Sequence, residues 1–171
     1  MIFSMLRNIL FPKRPQPRLT CHGKLWKQIL LELRRRGDGR MESGGFLLGR
    51  SHGQAREILS FIPYDDIDPN CLRGAIMFDG SLMDEVWARC RALKQDVVAD
   101  VHTHPRGYSQ SSIDQANPMI PQVGHLALIV PNYADRLYLP GNIGMYEFRG
   151  RDGWRDHSQL GRNFFKLSGW Y

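Results

Sequence analysis

Two histidines separated by one residue follow an apolar run in the middle of this 171-residue chain. Val97, Val98 and Ala99 predict a strand, and His102 and His104 come at its end. Successive side chains of a strand point to opposite faces, so residues that are two apart project from the same face. We therefore expect the two imidazoles to converge on one point.

The chain has to turn directly after the second histidine. Pro105 cannot continue a strand ladder, and Gly107 is typical of a loop. Ser111 or Ser112 can cap a helix that begins there, which puts Asp114 in the first turn, where free backbone N–H groups and the helix dipole favour a carboxylate. A carboxylate in that position can lie over the two imidazoles. Two histidines, one carboxylate and a fourth position left for water form the ligand set of a catalytic zinc site, although a His-x-His pair alone seldom binds metal.

A second carboxylate lies far upstream in a glycine-rich context. Glu42 precedes Gly44, Gly45 and the strand-like segment 46–50. A carboxylate beside a buried strand must be desolvated unless it is paired, and the glycines allow other backbone or a ligand to come close. The local sequence fits an exposed turn residue equally well, and the downstream histidines favour the functional interpretation.

Length and cysteine content narrow the class of protein. The chain has the size of one ordinary domain. Cys21, Cys71 and Cys90 are odd in number and share no CxxC spacing, which argues against a disulfide framework and against a cysteine zinc site. We therefore expect a reducing, cytoplasmic location.

The net charge of +6 is concentrated at the front of the chain. Residues 1–40 carry ten Lys and Arg against two acidic residues, and the remainder carries 13 basic against 15 acidic residues. We predict that residues 1–19 form a basic and apolar extension, too short in its apolar part to span a bilayer and without a signal-peptide cleavage pattern. Such an extension could bind an acidic partner, a membrane surface or nucleic acid. Three interpretations without a binding function fit equally well: a solvated helix face, packing on its own domain, or disorder.

The rest of the pattern predicts one α+β domain over residues 20–171. Apolar residues at helical spacing predict helices over 22–36 and 81–94, and Pro118 limits a third helix that begins near Ser111. Strands are predicted at 46–50, 55–63, 76–78, 96–103, 125–130, 144–148 and 154–157. This order fits a curved mixed β-sheet flanked by helices.

The separated functional positions together resemble the JAMM metallopeptidases, whose domain is called MPN or JAB. The motif is matched, in chain order, by Glu42, His102, His104, Pro105, Ser111 and Asp114. Six rather than seven residues between His104 and Ser111 is a small departure. The resemblance covers about residues 20–147 and implies an MPN-like, cytidine-deaminase-like fold. Within the family the chain is most similar to small bacterial JAB proteins that act beside ubiquitin-like modifiers.

The resemblance implies a role for each matched position. A zinc ion would be held by His102, His104 and Asp114. Glu42 would be the general base, and Ser111 would donate a hydrogen bond to the oxyanion, although Ser111 fits the role of helix cap alone as well.

Two further residues near the motif are left with open roles. Asp100 lies on the same strand face as His102, at a place where many family members carry an uncharged residue. Three roles are open for Asp100: orienting a metal ligand, pairing with a base, or disturbing the site. His125 is expected to cap or support rather than to bind metal, because three ligands are already assigned.

The implied function is that of a zinc-dependent isopeptidase or peptidase. Such an enzyme cleaves the bond after the C-terminus of a ubiquitin-like modifier, and its partners would be that modifier or its conjugates, with the activating and conjugating enzymes of a bacterial, in some cases antiphage, system. One alternative is a peptidase that acts on a sulfur-carrier protein conjugate. The other is a non-catalytic MPN scaffold or nucleic-acid-binding module, which the basic N-terminal region favours and the intact ligand set disfavours.

Overall fold

The computed structural model describes residues 16–169. This part of the chain contains ten strands and three α-helices. The helices are α1 (Gly23–Arg36), α2 (Met83–Leu93) and α3 (Ser112–Ala116). The strands are β1 (Leu19–His22), β2 (Gly44–His52), β3 (Ala55–Pro63), β4 (Leu72–Arg73), β5 (Ala75–Ile76), β6 (Asp96–Thr103), β7 (Leu126–Val130), β8 (Gly144–Phe148), β9 (Trp154–Asp156) and β10 (Phe165–Ser168).

Eight of these strands form one curled mixed sheet in the order β10-β1-β3-β2-β6-β7-β8-β9. The histidine-bearing strand β6 lies inside it, antiparallel to β2 and parallel to β7. The sheet curls far enough for its two sides to meet: Arg18, just before β1, donates to Glu147 on β8 at 3.4 Å, although four strands lie between β1 and β8. The predicted single α+β domain with a curved mixed sheet is confirmed at this level.

Each face of the sheet packs against its own helix. On one face, α1 buries Trp26 and Leu33 against Phe165 and the inner strands, and the Trp26 indole donates to the carbonyl of Tyr138 at 2.8 Å. On the other face, α2 packs through a second cluster that contains Phe46 and Tyr64. Phe46 is the register partner of Asp100 on β6, so this second face is the one that carries the alternate positions Asp100 and His102.

The observed elements depart from the predicted ones at a few places. The strands β1 and β10 were not predicted, and β1 starts at the fully buried Leu19, one residue ahead of the predicted start of the domain. Of the predicted strand 76–78, only Ile76 is in a strand, as the last residue of β5, which forms a hairpin with β4. Helix α2 begins at Met83 rather than at the predicted residue 81, because a 3-10 turn capped by Asp79 precedes it. The predictions for the first fifteen residues lie outside the described part of the chain.

Two of the three successive arginines at the end of α1 are bonded to other segments, while Arg35 is exposed and contacts Glu32 of the same helix. Arg36 contacts Asp65 and Asp66 at 2.8 and 2.7 Å, and Arg34 donates to the carbonyl of Asp135 at 2.7 Å. The bonds of Arg34 and Arg36 to neighbouring segments mean that these two side chains do not form a free basic surface. The basic N-terminal region therefore gives less support to a nucleic-acid-binding function. Across residues 16–169, none of the helices has the length and apolar character needed to cross a membrane.

Candidate metal centre

The end of β6 brings the two predicted histidines together. His102 is the last but one residue of the strand and His104 follows it, and their Nε2 atoms lie 3.0 Å apart. Both rings are largely shielded from solvent. The backbone N–H of His104 donates to the carbonyl of Val130, and the carbonyl of His104 accepts from Tyr133. These two bonds keep the second histidine in register after the strand pairing has ended.

The first turn of α3 supplies the carboxylate. Ser111 caps the helix by accepting from the backbone N–H of Asp114 at 3.1 Å, and the Asp114 carboxylate accepts from the N–H of Ser111 at 2.7 Å. This reciprocal capping box fixes the aspartate at the helix start. From there its oxygens lie 3.5 Å from Nε2 of His102 and 3.1 Å from Nε2 of His104.

The spacing of these three side chains fits a small divalent cation. Ligand atoms of His102, His104 and Asp114 all lie within 4.8 Å of one another. Tetrahedral coordination with metal–ligand distances of about 2.1 Å sets neighbouring ligand atoms roughly 3.4 Å apart, close to the distances of 3.0, 3.1 and 3.5 Å seen here. Two imidazoles and one carboxylate are also a donor set that zinc accepts. The residues present therefore suit a zinc ion.

Electrostatics in the cluster favour the charged form of the aspartate. Burial alone would raise the pKa of Asp114, but the bonds from His102 and His104 outweigh it and hold that pKa well below its usual range. Burial lowers the pKa of His102, and the facing carboxylates, above all Asp114, more than offset it, so that the pKa of His102 is raised. Such concentrated negative charge beside two imidazoles is what a cation site requires.

Glu42 faces the same cleft from the segment before β2. The segment is tied to β6 by its next residue: the N–H of Ser43 donates to Oγ1 of Thr103 at 2.9 Å, and the N–H of Thr103 donates to the carbonyl of Ser43 at 2.8 Å. Burial raises the pKa of Glu42 above its ordinary value, while the facing imidazoles of His104 and His102 act in the opposite direction. A half-buried carboxylate with a raised pKa is suited to accept and return a proton.

Gly44 permits this close approach of β2 to the histidine strand. It is the register partner of His102, and a Cβ at this position would lie 2.5 Å from the Tyr64 ring, 2.7 Å from the carbonyl of Val101 and 2.9 Å from Cβ of His102. A larger residue would push the strand that follows Glu42 away from the cluster.

The cleft around these residues is open to solvent on one side. Ser111 lies on its exposed rim, where its hydroxyl serves the cap and also faces the cleft. The other walls are formed by the hairpin β4–β5 and by the region around α3, with these lining residues: Ala75, Ile76, Gln110, Ile113, Asn117, Pro118, Met119 and Trp154. None of these was predicted to line the site, since they share no motif and come from three separate stretches of the chain.

A buried polar group lies directly behind His102. Asp100 accepts from Nε2 of His125 at 2.6 Å and from the hydroxyl of Tyr64 at 3.2 Å. One of its oxygens is 4.0 Å from Nδ1 of His102. His125 thus supports rather than joins the cluster, as predicted. Tyr64 is fully buried at this point.

The predicted site residues therefore meet in one place. Glu42, His102, Ser111 and Asp114 line one cleft, and His104 completes the three-residue cluster at its base.

Comparison with known proteins supports the fold alone. No family model matches the sequence. A solution structure of a Desulfitobacterium hafniense protein is similar with a TM-score of 0.65 at 17% identity, over 89% of this chain and 94% of that one. A Salinibacter ruber protein is similar with a TM-score of 0.52 at 17% identity, over 81% of this chain and 88% of that one. The chain thus shares its α+β architecture with two bacterial proteins to which it has little sequence identity.

Proposed function

We propose that the chain is a zinc-dependent isopeptidase or peptidase of the JAMM type, with an MPN-like fold. The observation that carries the proposal is the meeting of Glu42 with the cluster of His102, His104 and Asp114 in one solvent-accessible cleft. Sixty residues separate the glutamate from the first histidine, and a purely structural role for either would not require them to share a cleft.

Each side chain has a definite task in hydrolysis. A zinc ion held by His102, His104 and Asp114 would supply an acidified water and polarise the carbonyl of the scissile bond. Glu42 takes the proton of the attacking water and returns it to the leaving amine, for which its raised pKa is suited. Ser111 lies on the rim, where its hydroxyl can donate to the developing oxyanion.

An open cleft favours a polymer over a small molecule as the substrate. The short strand β5 lines the cleft through Ala75 and Ile76, and within residues 16–169 it pairs only with β4. An extended tail with small side chains, such as the C-terminus of a ubiquitin-like modifier, can add beside such a strand. Met77 and Ile113, 68% and 60% exposed, add apolar contact area near the entrance.

The test combines metal analysis with cleavage of a modifier–lysine conjugate. We expect the wild-type protein to bind one zinc ion and to cleave the conjugate. Glu42→Gln should retain zinc and lose about 10²–10⁴-fold in cleavage rate, the range for removal of a general base. Glu85→Gln, which removes an exposed carboxylate on α2, is the matched control and should cleave at the wild-type rate.

Two results would contradict the proposal. One is a zinc-loaded wild-type protein that cleaves neither this conjugate nor a sulfur-carrier conjugate. The other is a Glu42→Gln variant as active as the wild type.

A further inference from the structure

Asp100 is a buried carboxylate whose position no part of the proposed reaction explains. It is 3% exposed, two residues before His102 on the same face of β6. It is held from two sides, by His125 at 2.6 Å and by Tyr64 at 3.2 Å. Burying a carboxylate costs free energy of desolvation, which its hydrogen bonds have to offset.

The orientation of the His102 ring indicates a role for Asp100. Nε2 of His102 faces His104 and Asp114, while Nδ1 lies on the other side, 4.0 Å from an Asp100 oxygen. An imidazole binds metal through the nitrogen that carries no proton, and the group beside the other nitrogen decides which one that is. At 4.0 Å the contact is one of charge rather than a hydrogen bond.

We propose that Asp100 is a positioning residue for His102, with His125 and Tyr64 as its anchors. Its negative charge keeps the ring proton of His102 on Nδ1, which leaves the electron pair of Nε2 directed into the cluster. The two anchors fix the carboxylate, so that it acts on the ring without reaching the metal position itself. This inference rests on the metal site of the proposed function.

Three features of the structure favour this role over a purely structural one. The two anchors contact different oxygens of Asp100, His125 at Oδ1 and Tyr64 at Oδ2, so both ends of the carboxylate are fixed. The Tyr64 ring packs edge-on against Phe46 at 4.8 Å, which keeps its hydroxyl in place. His125 immediately precedes β7, the strand parallel to β6, and its carbonyl accepts from the N–H of Phe148 on β8 at 2.9 Å, so the anchor is held by the sheet.

The decisive variant is Asp100→Asn, with Glu147→Gln as the matched control. Glu147 is also a buried carboxylate bonded to a histidine, but it lies outside the cleft. We expect Asp100→Asn to weaken zinc binding about 10–100-fold, the usual cost of losing the group behind a metal-binding histidine. Glu147→Gln should bind zinc as the wild type does, with both variants verified as folded by circular dichroism.

A second readout needs no metal. In the metal-free protein, above the pH at which His102 becomes neutral, ¹⁵N NMR should show the ring proton of His102 on Nδ1. In Asp100→Asn a measurable share should move to Nε2. Unchanged zinc affinity in Asp100→Asn, or an unchanged distribution of the ring proton, would overturn the inference.

The outcomes separate this inference from the proposed function. A wild-type protein that binds no zinc would refute the proposed function, and the NMR comparison would still decide the role of Asp100. Should Asp100→Asn fail to fold, Tyr64→Phe removes only the hydroxyl and keeps the ring. It should weaken zinc binding in the same direction by a smaller factor, and wild-type affinity in that variant would also overturn the inference.

Discussion

Two buried carboxylate–histidine pairs lie in different parts of the sheet, and their third partners differ. Asp100 and Glu147 are 3% and 4% exposed, and each accepts from Nε2 of a histidine, His125 at 2.6 Å and His157 at 2.9 Å. Beyond its histidine, Asp100 faces another imidazole, that of His102. The carboxylate–histidine pairing is the same in both regions. The role of each pair therefore depends on the further groups that its carboxylate contacts.

Beyond its histidine, Glu147 faces cations instead. Its other oxygen lies 3.4 Å from a guanidinium nitrogen of Arg18 and 3.4 Å from one of Arg149. Arg18 precedes β1, so this pair joins the two sides of the curled sheet, and His157 stacks on the buried Phe164 at 4.5 Å. We interpret Glu147–His157 as the closure of the sheet and Asp100–His125 as the support of the metal centre.

The largest expected difference between the two regions concerns metal binding. His104→Ala removes one of the three proposed ligands, and we expect zinc affinity to fall by more than the roughly 100-fold upper range for supporting residues. His157→Gln, in the other pair, should leave zinc affinity unchanged while lowering stability. Isothermal titration with zinc measures both variants, and wild-type affinity in His104→Ala would show that the centre is assigned to the wrong residues.

The cluster could be predicted from the sequence because its residues are close along the chain. His102 and His104 share a face by strand periodicity, and Asp114 follows at a helix start that serine capping indicates. The curved mixed sheet likewise followed from the alternation of strand and helix patterns. These features depend on local rules that act over a few residues.

The supports of the cluster depend on contacts between distant segments, which no local pattern reveals. Tyr64 and His125 reach Asp100 from 36 and 25 residues away, and Arg18 reaches Glu147 from 129 residues away. The short edge strand β10 alternates apolar and polar residues over only four positions, too few to predict a strand, and pairing with β1 defines it. The sequence therefore predicted which three side chains cluster, while the groups around that cluster required the structure.

A smaller effect is expected on stability when the closing pair is broken. Glu147→Gln leaves the donors of His157 and Arg18 without a charged acceptor in a buried place, which should cost about 1–3 kcal/mol in the free energy of unfolding. Glu85→Gln, an exposed pair with Arg89 on α2, should cost no more than about 0.5 kcal/mol. Urea denaturation compares the two, and equal stability of Glu147→Gln and the wild type would contradict the closing role.

The smallest expected effect is the pH dependence of that same difference in stability. Burial alone would raise the pKa of Glu147, but the bond from His157 and the charges of Arg18 and Arg149 outweigh it, so the pKa lies below its ordinary value of 4.5. A carboxyl group whose pKa is lowered by folding stabilises the folded state above the unfolded pKa and loses that contribution as the pH falls through the folded one. The gap in unfolding free energy between wild type and Glu147→Gln should therefore be constant near neutral pH and shrink in acid. Urea denaturation of both proteins across a pH series below about pH 5 measures this gap, and a gap that widens in acid would mean that Glu147 is not held as a charged acceptor.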